Sequence, residues 1–267
     1  MSYLSYFSLT DDPFVPQGSE RFGYFESQDF KQATARLNHL KELRGMGLMT
    51  GFAGAGKTTV LRAFADSLHP AKYRVMYQPM NALSVREFYV ALCLGLGLEP
   101  SYRKIDMYRQ IQAYLLDLAE HKKITPVLIL DEAQAMNRQI LLDLPVLLNF
   151  HMERAMPLLL ILSGLPEMVN RLHFTAMEPL TQRLITNYNF LGLSVEDVGD
   201  YLLNRLNQVD GRIQLFDTQA ITVLHQASRG AVRVIDALAT RSLRLASQLK
   251  LQQITADVVM SAKEDMV

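Results

Sequence analysis

Residues 51–59 of this 267-residue chain read Gly51-Phe52-Ala53-Gly54-Ala55-Gly56-Lys57-Thr58-Thr59. The segment from Gly51 to Thr58 matches the phosphate-loop pattern G-x-x-x-x-G-K-[ST] at every position. The apolar stretch 46–50 before it predicts a buried strand, and the apolar spacing of 60–68 after it predicts a helix. The glycines let the backbone curl around an anion, where a Cβ would clash or resist a positive φ. The stretch therefore predicts a binding site for a nucleoside triphosphate at a helix N-terminus.

Each loop residue has an expected part in binding ATP and Mg²⁺. Lys57 would reach the β- and γ-phosphates as a point charge, and the Thr58 hydroxyl would be a ligand of Mg²⁺. A glycine-rich turn can also match the pattern by accident, but the flanking strand and helix argue against this alternative. The residues predicted to bind the nucleotide in this loop are Gly51, Gly54, Ala55, Gly56, Lys57, Thr58 and Thr59.

Two later strands carry polar residues at their carboxyl ends. The apolar run 127–130 predicts a buried strand followed by Asp131 and Glu132. In a phosphate-loop ATPase, an Asp at this position holds Mg²⁺ and a following Glu can act as general base toward the attacking water. Ser163 ends the buried stretch 158–163, where a polar side chain would sense the γ-phosphate. Solvated acids, and an ordinary serine at a strand end, are the alternatives.

The composition of the chain sets wide limits. Lys and Arg together number 27, as do Asp and Glu, and this balance argues only weakly against DNA because basic residues can still share one face. Cys93 is the single cysteine and lies in an apolar run, so no disulfide within the chain is possible. The N-terminus lacks the pattern of a signal peptide, and no apolar run could span a bilayer. We expect a cytoplasmic protein with no membrane partner.

The order of apolar runs predicts the fold class, which is α/β. We expect a three-layer αβα phosphate-loop domain with a parallel five-stranded sheet, followed by a small all-helical domain, because only helical spacing follows Ser194. The domains expected are an aromatic N-terminal segment, 1–26, that packs on the core, a nucleotide-binding domain, 27–192, and a helical lid domain, 193–267. The aromatic segment would either line the adenine pocket or make simple core contacts.

This order of motifs resembles that of the AAA+ ATPases, and the chain is most similar to the ExeA-like family over nearly its whole length. The resemblance rests on Tyr6-Phe7-Ser8-Leu9 with Asp12-Pro13-Phe14, Gly54-Ala55-Gly56-Lys57-Thr58-Thr59, Leu130-Asp131-Glu132-Ala133-Gln134, Gly164-Leu165-Pro166-Glu167-Met168, Leu180-Thr181-Gln182-Arg183-Leu184, Tyr201-Leu202-Leu203-Asn204-Arg205-Leu206 and Gly230-Ala231-Val232-Arg233. It implies that Arg183 is an arginine finger completing a neighbouring subunit's site, and that Arg233 contacts phosphate from the helical domain. Either arginine could instead be a surface residue. Leu165 departs from the family, which commonly has Gln there, so Ser163 would substitute as the sensor.

The resemblance implies two competing functions. Secretion-type members resemble a cytoplasmic ATPase joined to a membrane span and a cell-wall-binding domain, which this sequence does not show. Stand-alone members look like the transposition target-selection ATPases of the TnsC, TniB and MuB type. Such proteins assemble on duplex DNA as homo-oligomers, in rings or filaments of about six subunits per turn, and recruit a transposase or adaptor. A third alternative is a non-hydrolysing nucleotide switch, against which Glu132 argues.

A transposition ATPase needs basic side chains that contact the DNA backbone. Arg103 and Lys104 are the first candidates. They lie in the predicted loop 97–104, which follows the second predicted strand, 73–78, and its helix, 84–96. Lys72, Arg74 and Arg86 are weaker ones. A basic bias on the last helices, for DNA or a partner protein, comes from Arg229, Arg241, Arg244 and Lys250. Solvated loop charges are the alternative for each.

Overall fold

The computed structural model describes residues 2–15, 22–150, 156–211 and 215–264. The chain divides into two compact units. The sheet unit comprises residues 33–51 and 60–190, and the helical unit comprises residues 1–32, 52–59 and 191–267. The phosphate loop is therefore part of the helical unit, although β1 before it belongs to the sheet unit.

Within the described residues, five strands form one sheet in the order β2-β3-β4-β1-β5, and every neighbouring pair is parallel. The strands are β1 (Met46–Gly51), β2 (Tyr73–Pro79), β3 (Thr125–Asp131), β4 (Leu159–Gly164) and β5 (Leu184–Phe190). The burial of β1, β3 and β4 along their whole length explains their continuous apolar runs, because a parallel strand with both faces covered has no polar side. The predicted parallel five-stranded sheet is confirmed.

Helices of the sheet unit form the outer layers. Among the described residues, the α-helices that begin before β5 are α1 (Tyr3–Tyr6), which belongs to the helical unit, α2 (Gln28–Leu43), α3 (Lys57–Ser67), α4 (Val85–Leu96), α5 (Lys104–Leu116), α6 (Arg138–Leu147), α7 (Glu167–Leu172) and α8 (Glu178–Thr181). Side chains of α4, α5 and α6 join one core with alternate residues of the sheet, such as Leu128 and Leu160. On the other face α2 packs on β1, where Leu40 approaches Gly47. The β1–α3–β2 crossover runs in the opposite direction to the later ones, so the right-handed rule also places α3 on that face.

Local sequence signals explain several helix ends. Ser84 caps α4 with Glu87 in a reciprocal capping box, and Gly97 ends the same helix at a φ of 76°. The run 117–121 continues α5 as a π-helical turn. Pro145 lies inside α6, two residues before the helix ends at Leu147, although a proline usually kinks a helix or begins one.

The helical unit has its own apolar core. Its helices after β5 are α9 (Val195–Asn207), α10 (Thr218–Ser228), α11 (Val232–Gln248) and α12 (Ala256–Glu264). Leu9 and Phe14 of the aromatic N-terminal segment are buried members of this core, beside Val198 and Leu243. No helix of residues 2–15, 22–150, 156–211 or 215–264 is long and apolar enough to cross a membrane.

Candidate nucleotide site

The phosphate loop has the backbone conformation that its glycines allow. Gly54 has a φ of 84° and Gly56 a φ of 98°, both in the region that L-residues rarely adopt. A Cβ placed on Gly56 would meet no atom within 4 Å, so the space beside this residue is open. Successive backbone amides in a glycine loop of this conformation can form an anion-binding nest. The loop therefore fits a phosphate group.

Lys57 begins α3 and is held close to the loop. Its side chain is buried, and Nζ donates a 3.0 Å hydrogen bond to the carbonyl oxygen of Phe52. Thr58, the next residue, is exposed. The side chain of Lys57 therefore already lies beside the loop that is predicted to bind the phosphates of the nucleotide.

The start of α11 packs on the phosphate loop within the helical unit. The backbone N–H of Val232 donates a 3.1 Å hydrogen bond to the carbonyl oxygen of Gly54. A Cβ on Gly54 would lie 3.6 Å from the Cβ of Arg233. The structure therefore brings Arg233, the predicted contact from the helical domain, next to the loop.

The carboxyl end of β3 holds the two predicted acids in different ways. Asp131 is buried, with Oδ1 accepting a 2.9 Å hydrogen bond from the backbone N–H of Glu132 and Oδ2 accepting a 2.8 Å bond from the Tyr77 hydroxyl. Burial, reinforced by this bond and the charge of Asp131, raises the pKa of Tyr77 to about 12. Tyr77 therefore remains a hydrogen-bond donor to Asp131 at neutral pH.

Glu132 is exposed and has an unusual backbone conformation, with a φ of 57° and a ψ of 36°. Its Oε2 accepts a 2.6 Å hydrogen bond from Nε2 of Gln134. The Oε1 atom of Gln134 accepts a 2.9 Å bond from the backbone N–H of Leu165. The candidate base is thus joined through one side chain to the residue that follows β4.

Ser163 lies level with Asp131 on the neighbouring strand. The register pairs Leu130 with Leu162, and alternation along the strands puts the next residues, Asp131 and Ser163, on one face of the sheet. Ser163 is fully buried, and within the described residues its Oγ has no hydrogen-bond partner. A buried hydroxyl without a partner costs free energy, so it fits a ligand that supplies one.

Arg183 follows α8 and precedes β5, the strand at one edge of the sheet. Its backbone N–H donates a 3.2 Å hydrogen bond to the carbonyl oxygen of Leu180, and the residue is partly exposed. The role of Arg183 as a finger toward a second subunit stays a prediction.

The two predicted DNA-contacting residues lie at the start of α5, and each has an acidic partner. Arg103 is the residue just before the helix, and its guanidinium donates to the Asp106 carboxylate at 2.8 and 3.2 Å. Lys104 forms an ion pair with Asp143 of α6. Any contact with phosphates would therefore compete with these carboxylates.

Mg²⁺ is the metal expected at the nucleotide. Among residues 2–15, 22–150, 156–211 and 215–264, no group of three or more His, Cys, Asp and Glu side chains could hold a metal by itself. Mg²⁺ bound to a nucleotide commonly takes only one or two protein ligands beside phosphate oxygens and water. Thr58 and Asp131 each have a side-chain oxygen of the kind that serves as such a ligand.

Three residues of this region were not predicted from the sequence: Tyr77, Gln134 and Arg171. Arg171, in α7, donates 2.7 Å hydrogen bonds to the carbonyl oxygens of Gln134 and Met136. Gln134 follows Asp131 and Glu132 in the quoted motif, so its closeness to them was visible. The contacts of Tyr77 and Arg171 join distant segments, for which a single sequence gives no signal.

Comparison with known proteins agrees with this geometry. Residues 40–172 match a family model described as AAA domain. The chain is 32% identical over 246 residues to General secretion pathway protein A of Aeromonas hydrophila, and the match covers 90% of this chain and 44% of that protein. The chain therefore spans less than half the length of this relative.

Solved structures share the fold at low sequence identity. Cdc6p from Pyrobaculum aerophilum superposes with a TM-score of 0.66 and 19% identity, covering 96% of this chain and 71% of that one. The Aeropyrum pernix ORC1 protein, in a structure that contains DNA, gives a TM-score of 0.64 and 14% identity, covering 95% and 68% of the two chains. Residues 40–172 therefore resemble an AAA domain, and the solved structures share the fold of this chain. The family model and the secretion relative agree with the expected resemblance to the ExeA-like AAA+ ATPases.

Proposed function

We propose that this protein binds ATP with Mg²⁺ and hydrolyses it. The observation that supports this most is the polar edge of the sheet, where Asp131, Glu132 and Ser163 stand at the carboxyl ends of β3 and β4. The parallel strand β1 ends at the same edge and leads directly into the phosphate loop. Ligands of open α/β sheets bind at this end of the strands.

In the proposed reaction, Glu132 accepts a proton from a water molecule. The water oxygen attacks the γ-phosphorus, and the bond between that phosphorus and the β–γ bridging oxygen breaks, releasing ADP and inorganic phosphate. Lys57 and the loop amides stabilise the charge on the phosphate oxygens. Mg²⁺, held by Thr58 and Asp131, would supply further charge neutralisation.

The two predicted arginines complete this proposal. Arg233, beside Gly54, would contact phosphate from the same chain. Arg183 would act in trans, so hydrolysis would require a homo-oligomer. A cationic fork supplied in trans can accelerate phosphoryl transfer by about 10³- to 10⁵-fold.

We propose further that the ATPase assembles on duplex DNA, selects a target for transposition and recruits a transposase or adaptor. Supporting this use, the similar ORC1 protein is found in a complex with DNA. Arg103 and Lys104 would provide backbone contacts, although each first has to leave its carboxylate partner. The binding would then be salt-dependent and largely independent of sequence.

A second candidate is an ATPase of a secretion assembly with no DNA role. The specific observation that favours it is the 32% identity with General secretion pathway protein A. This candidate shares the nucleotide chemistry and differs only in what the hydrolysis drives.

One set of measurements tests both the chemistry and its use. Phosphate release and nucleotide affinity are measured for the wild type, Glu132→Gln and the control Glu99→Gln, an exposed acid on the loop after α4. We expect Glu132→Gln to lose about 10²- to 10⁴-fold in kcat while keeping ATP affinity. Electron microscopy of the protein with duplex DNA, in ATP and in ADP, tests whether it assembles on DNA.

Rings or filaments on DNA that need ATP, and that persist longer with Glu132→Gln, support target selection. Hydrolysis with no DNA binding at low salt contradicts the DNA role and favours the secretion candidate. Full activity of Glu132→Gln contradicts its role as the general base.

A further inference from the structure

The side chain of Gln134 joins the ends of two neighbouring strands. Nε2 donates to Oε2 of Glu132 at 2.6 Å, and Oε1 accepts from the backbone N–H of Leu165 at 2.9 Å. Glu132 follows β3, whereas Leu165 follows β4. One amide therefore connects the candidate general base to the strand end where Ser163 stands.

The hydrogen-bonding groups of its two partners allow only one orientation of this amide. A backbone N–H can only donate, so the atom of Gln134 facing Leu165 must be its oxygen. An ionised carboxylate can only accept, so the atom facing Glu132 must be the amide nitrogen. A flipped amide would lose both hydrogen bonds, and the Gln134 side chain is therefore held in one orientation.

The surrounding residues provide a close fit for Gln134. A Cβ on Gly164 would lie 2.6 Å from Oε1 of Gln134 and 3.3 Å from its backbone nitrogen, so only glycine leaves room for the amide. The guanidinium of Arg171 fixes the backbone on both sides by bonding the carbonyl oxygens of Gln134 and Met136. Gly164 therefore confines the side chain of Gln134, and Arg171 fixes its backbone.

Glu132 combines a strained backbone with an exposed side chain. A non-glycine residue at a φ of 57° costs roughly 1 kcal/mol or more, and it persists where its surroundings determine it. The side chain of Glu132 is exposed, so solvent alone would leave its carboxylate free to adopt many rotamers. The bond from Gln134 selects one of them.

We propose that Gln134 is the positioning residue of the catalytic base. It holds one carboxylate oxygen of Glu132 so that the other faces the attacking water, and it ties this orientation to the backbone at the end of β4. The inference rests on the proposed function, in which Glu132 removes the proton of water. Gln134 itself touches neither the water nor the nucleotide.

The test compares kcat and KM for ATP in three variants. Gln134→Met keeps the length of the side chain and removes both hydrogen bonds. Gln134→Glu keeps an acceptor for Leu165 but removes the donor to Glu132, and Gly164→Ala displaces the amide without changing it. We expect kcat to fall about 10- to 100-fold in each variant, with KM changed less than about twofold, because misplacement of a catalytic group has costs of this size.

The pH profile of kcat separates positioning from a structural role. In Gln134→Glu, two carboxylates in contact would share a proton, so the acid limb of the profile should move to higher pH. The control is Gln139→Glu. Gln139 is exposed and also donates to a carboxylate, that of Asp143, so this variant makes the same chemical change away from the site. We expect this control to keep the wild-type kcat and profile.

Three outcomes would contradict the positioning role or the function on which it rests. If Glu132→Gln is inactive and the Gln134 and Gly164 variants keep the wild-type kcat, the positioning role is wrong and the proposed function stands. If Glu132→Gln is fully active, the general-base assignment itself fails. A loss in all three variants that appears as weaker ATP binding, with kcat retained, also contradicts positioning.

Discussion

The Tyr77 hydroxyl lies 2.8 Å from Oδ2 of Asp131, joining the side chains of the paired strands β2 and β3. The bond fixes the orientation of the carboxylate that is proposed to hold Mg²⁺. Partners behind a metal ligand commonly change metal affinity by about 10- to 100-fold. The relationship was not visible in the sequence, because 54 residues separate the two side chains.

Replacing this hydroxyl should alter the Mg²⁺ requirement of the ATPase. We expect Tyr77→Phe to raise the Mg²⁺ concentration for half-maximal activity by about tenfold, since Asp131 loses its fixed orientation. The measurement is a Mg²⁺ titration of phosphate release at saturating ATP. Tyr102→Phe, at a side chain 86% exposed, is the matched control. Identical titrations for both variants would show that the bond has no part in metal binding.

The phosphate loop should not tolerate a side chain at Gly56. There is room for a Cβ, but a φ of 98° is unfavourable for any L-residue. We expect Gly56→Ala to weaken ATP binding by at least about tenfold, because the strain costs of order 1–3 kcal/mol. Nucleotide affinity is measured by titration with a fluorescent ATP analogue.

A suitable control for this substitution is Gly199→Ala in α9. Gly199 lies in a helix, and an added Cβ would first meet Ile221 at 3.9 Å. Alanine there should leave affinity unchanged and stabilise the helix by about 0.5–1 kcal/mol. Unchanged affinity in Gly56→Ala would contradict the proposed role of the loop.

The stability of the helical unit should depend on pH through Asp236. Burial raises the pKa of this carboxyl from 3.8 to about 6, while the Tyr201 hydroxyl bond and nearby Arg205 oppose the rise and Asp12 adds to it. A raised pKa favours the protonated folded state, so the contribution of Asp236 to stability is greatest below pH 3.8 and is lost as pH rises through about 6. The loss is of order 3 kcal/mol.

Asp236→Asn should remove this component, since the amide oxygen can still accept from Tyr201 and carries no charge to bury. We expect the difference in free energy of unfolding, variant minus wild type, to grow as pH rises from 4 to 7. Urea unfolding at several pH values measures it. Parallel pH curves for the two proteins would contradict the assignment.

The ion pairs of α5 provide a direct test of DNA contact. If Arg103 and Lys104 bind phosphates, Asp106→Asn and Asp143→Asn should tighten duplex binding about 3- to 10-fold at low salt, because they remove the competing carboxylates. Lys104→Gln should weaken binding and lower the salt slope by about one. Binding that is indifferent to all three changes would exclude these residues as contacts.

The sequence predicted β1, β3 and β4 because their apolar runs are continuous and end in turn or polar residues, whereas β2 and β5 contain polar residues along their length. It also indicated Asp131, Glu132 and Ser163, since strand ends in a parallel sheet share one edge. Single-sequence patterns contain no information on which strands are neighbours. Strand order, and every contact that depends on it, therefore required the structure.

The same limit applies to Gln134 and Arg171. Leu165 is 31 residues from Gln134, and Arg171 is 37 residues from Gln134, so local spacing indicates neither contact, although it places Gln134 near Glu132. Pro145 shows a different limit. A proline usually interrupts a helix, yet near the end of α6 it removes only one hydrogen bond and is buried in the core, so tertiary packing outweighs the local preference.

The hydrogen bond from Val232 to Gly54 joins two backbones, so an alanine scan of the loop or of α11 would not detect it. Proline is the one natural residue that removes a backbone N–H. Val232 is the first residue of α11, a position where proline is well tolerated, and Ala231 before it is extended at a φ of −73° and a ψ of 110°. Val232→Pro would therefore delete this single bond and keep the helix. The effect of this backbone contact could then be measured in a point variant.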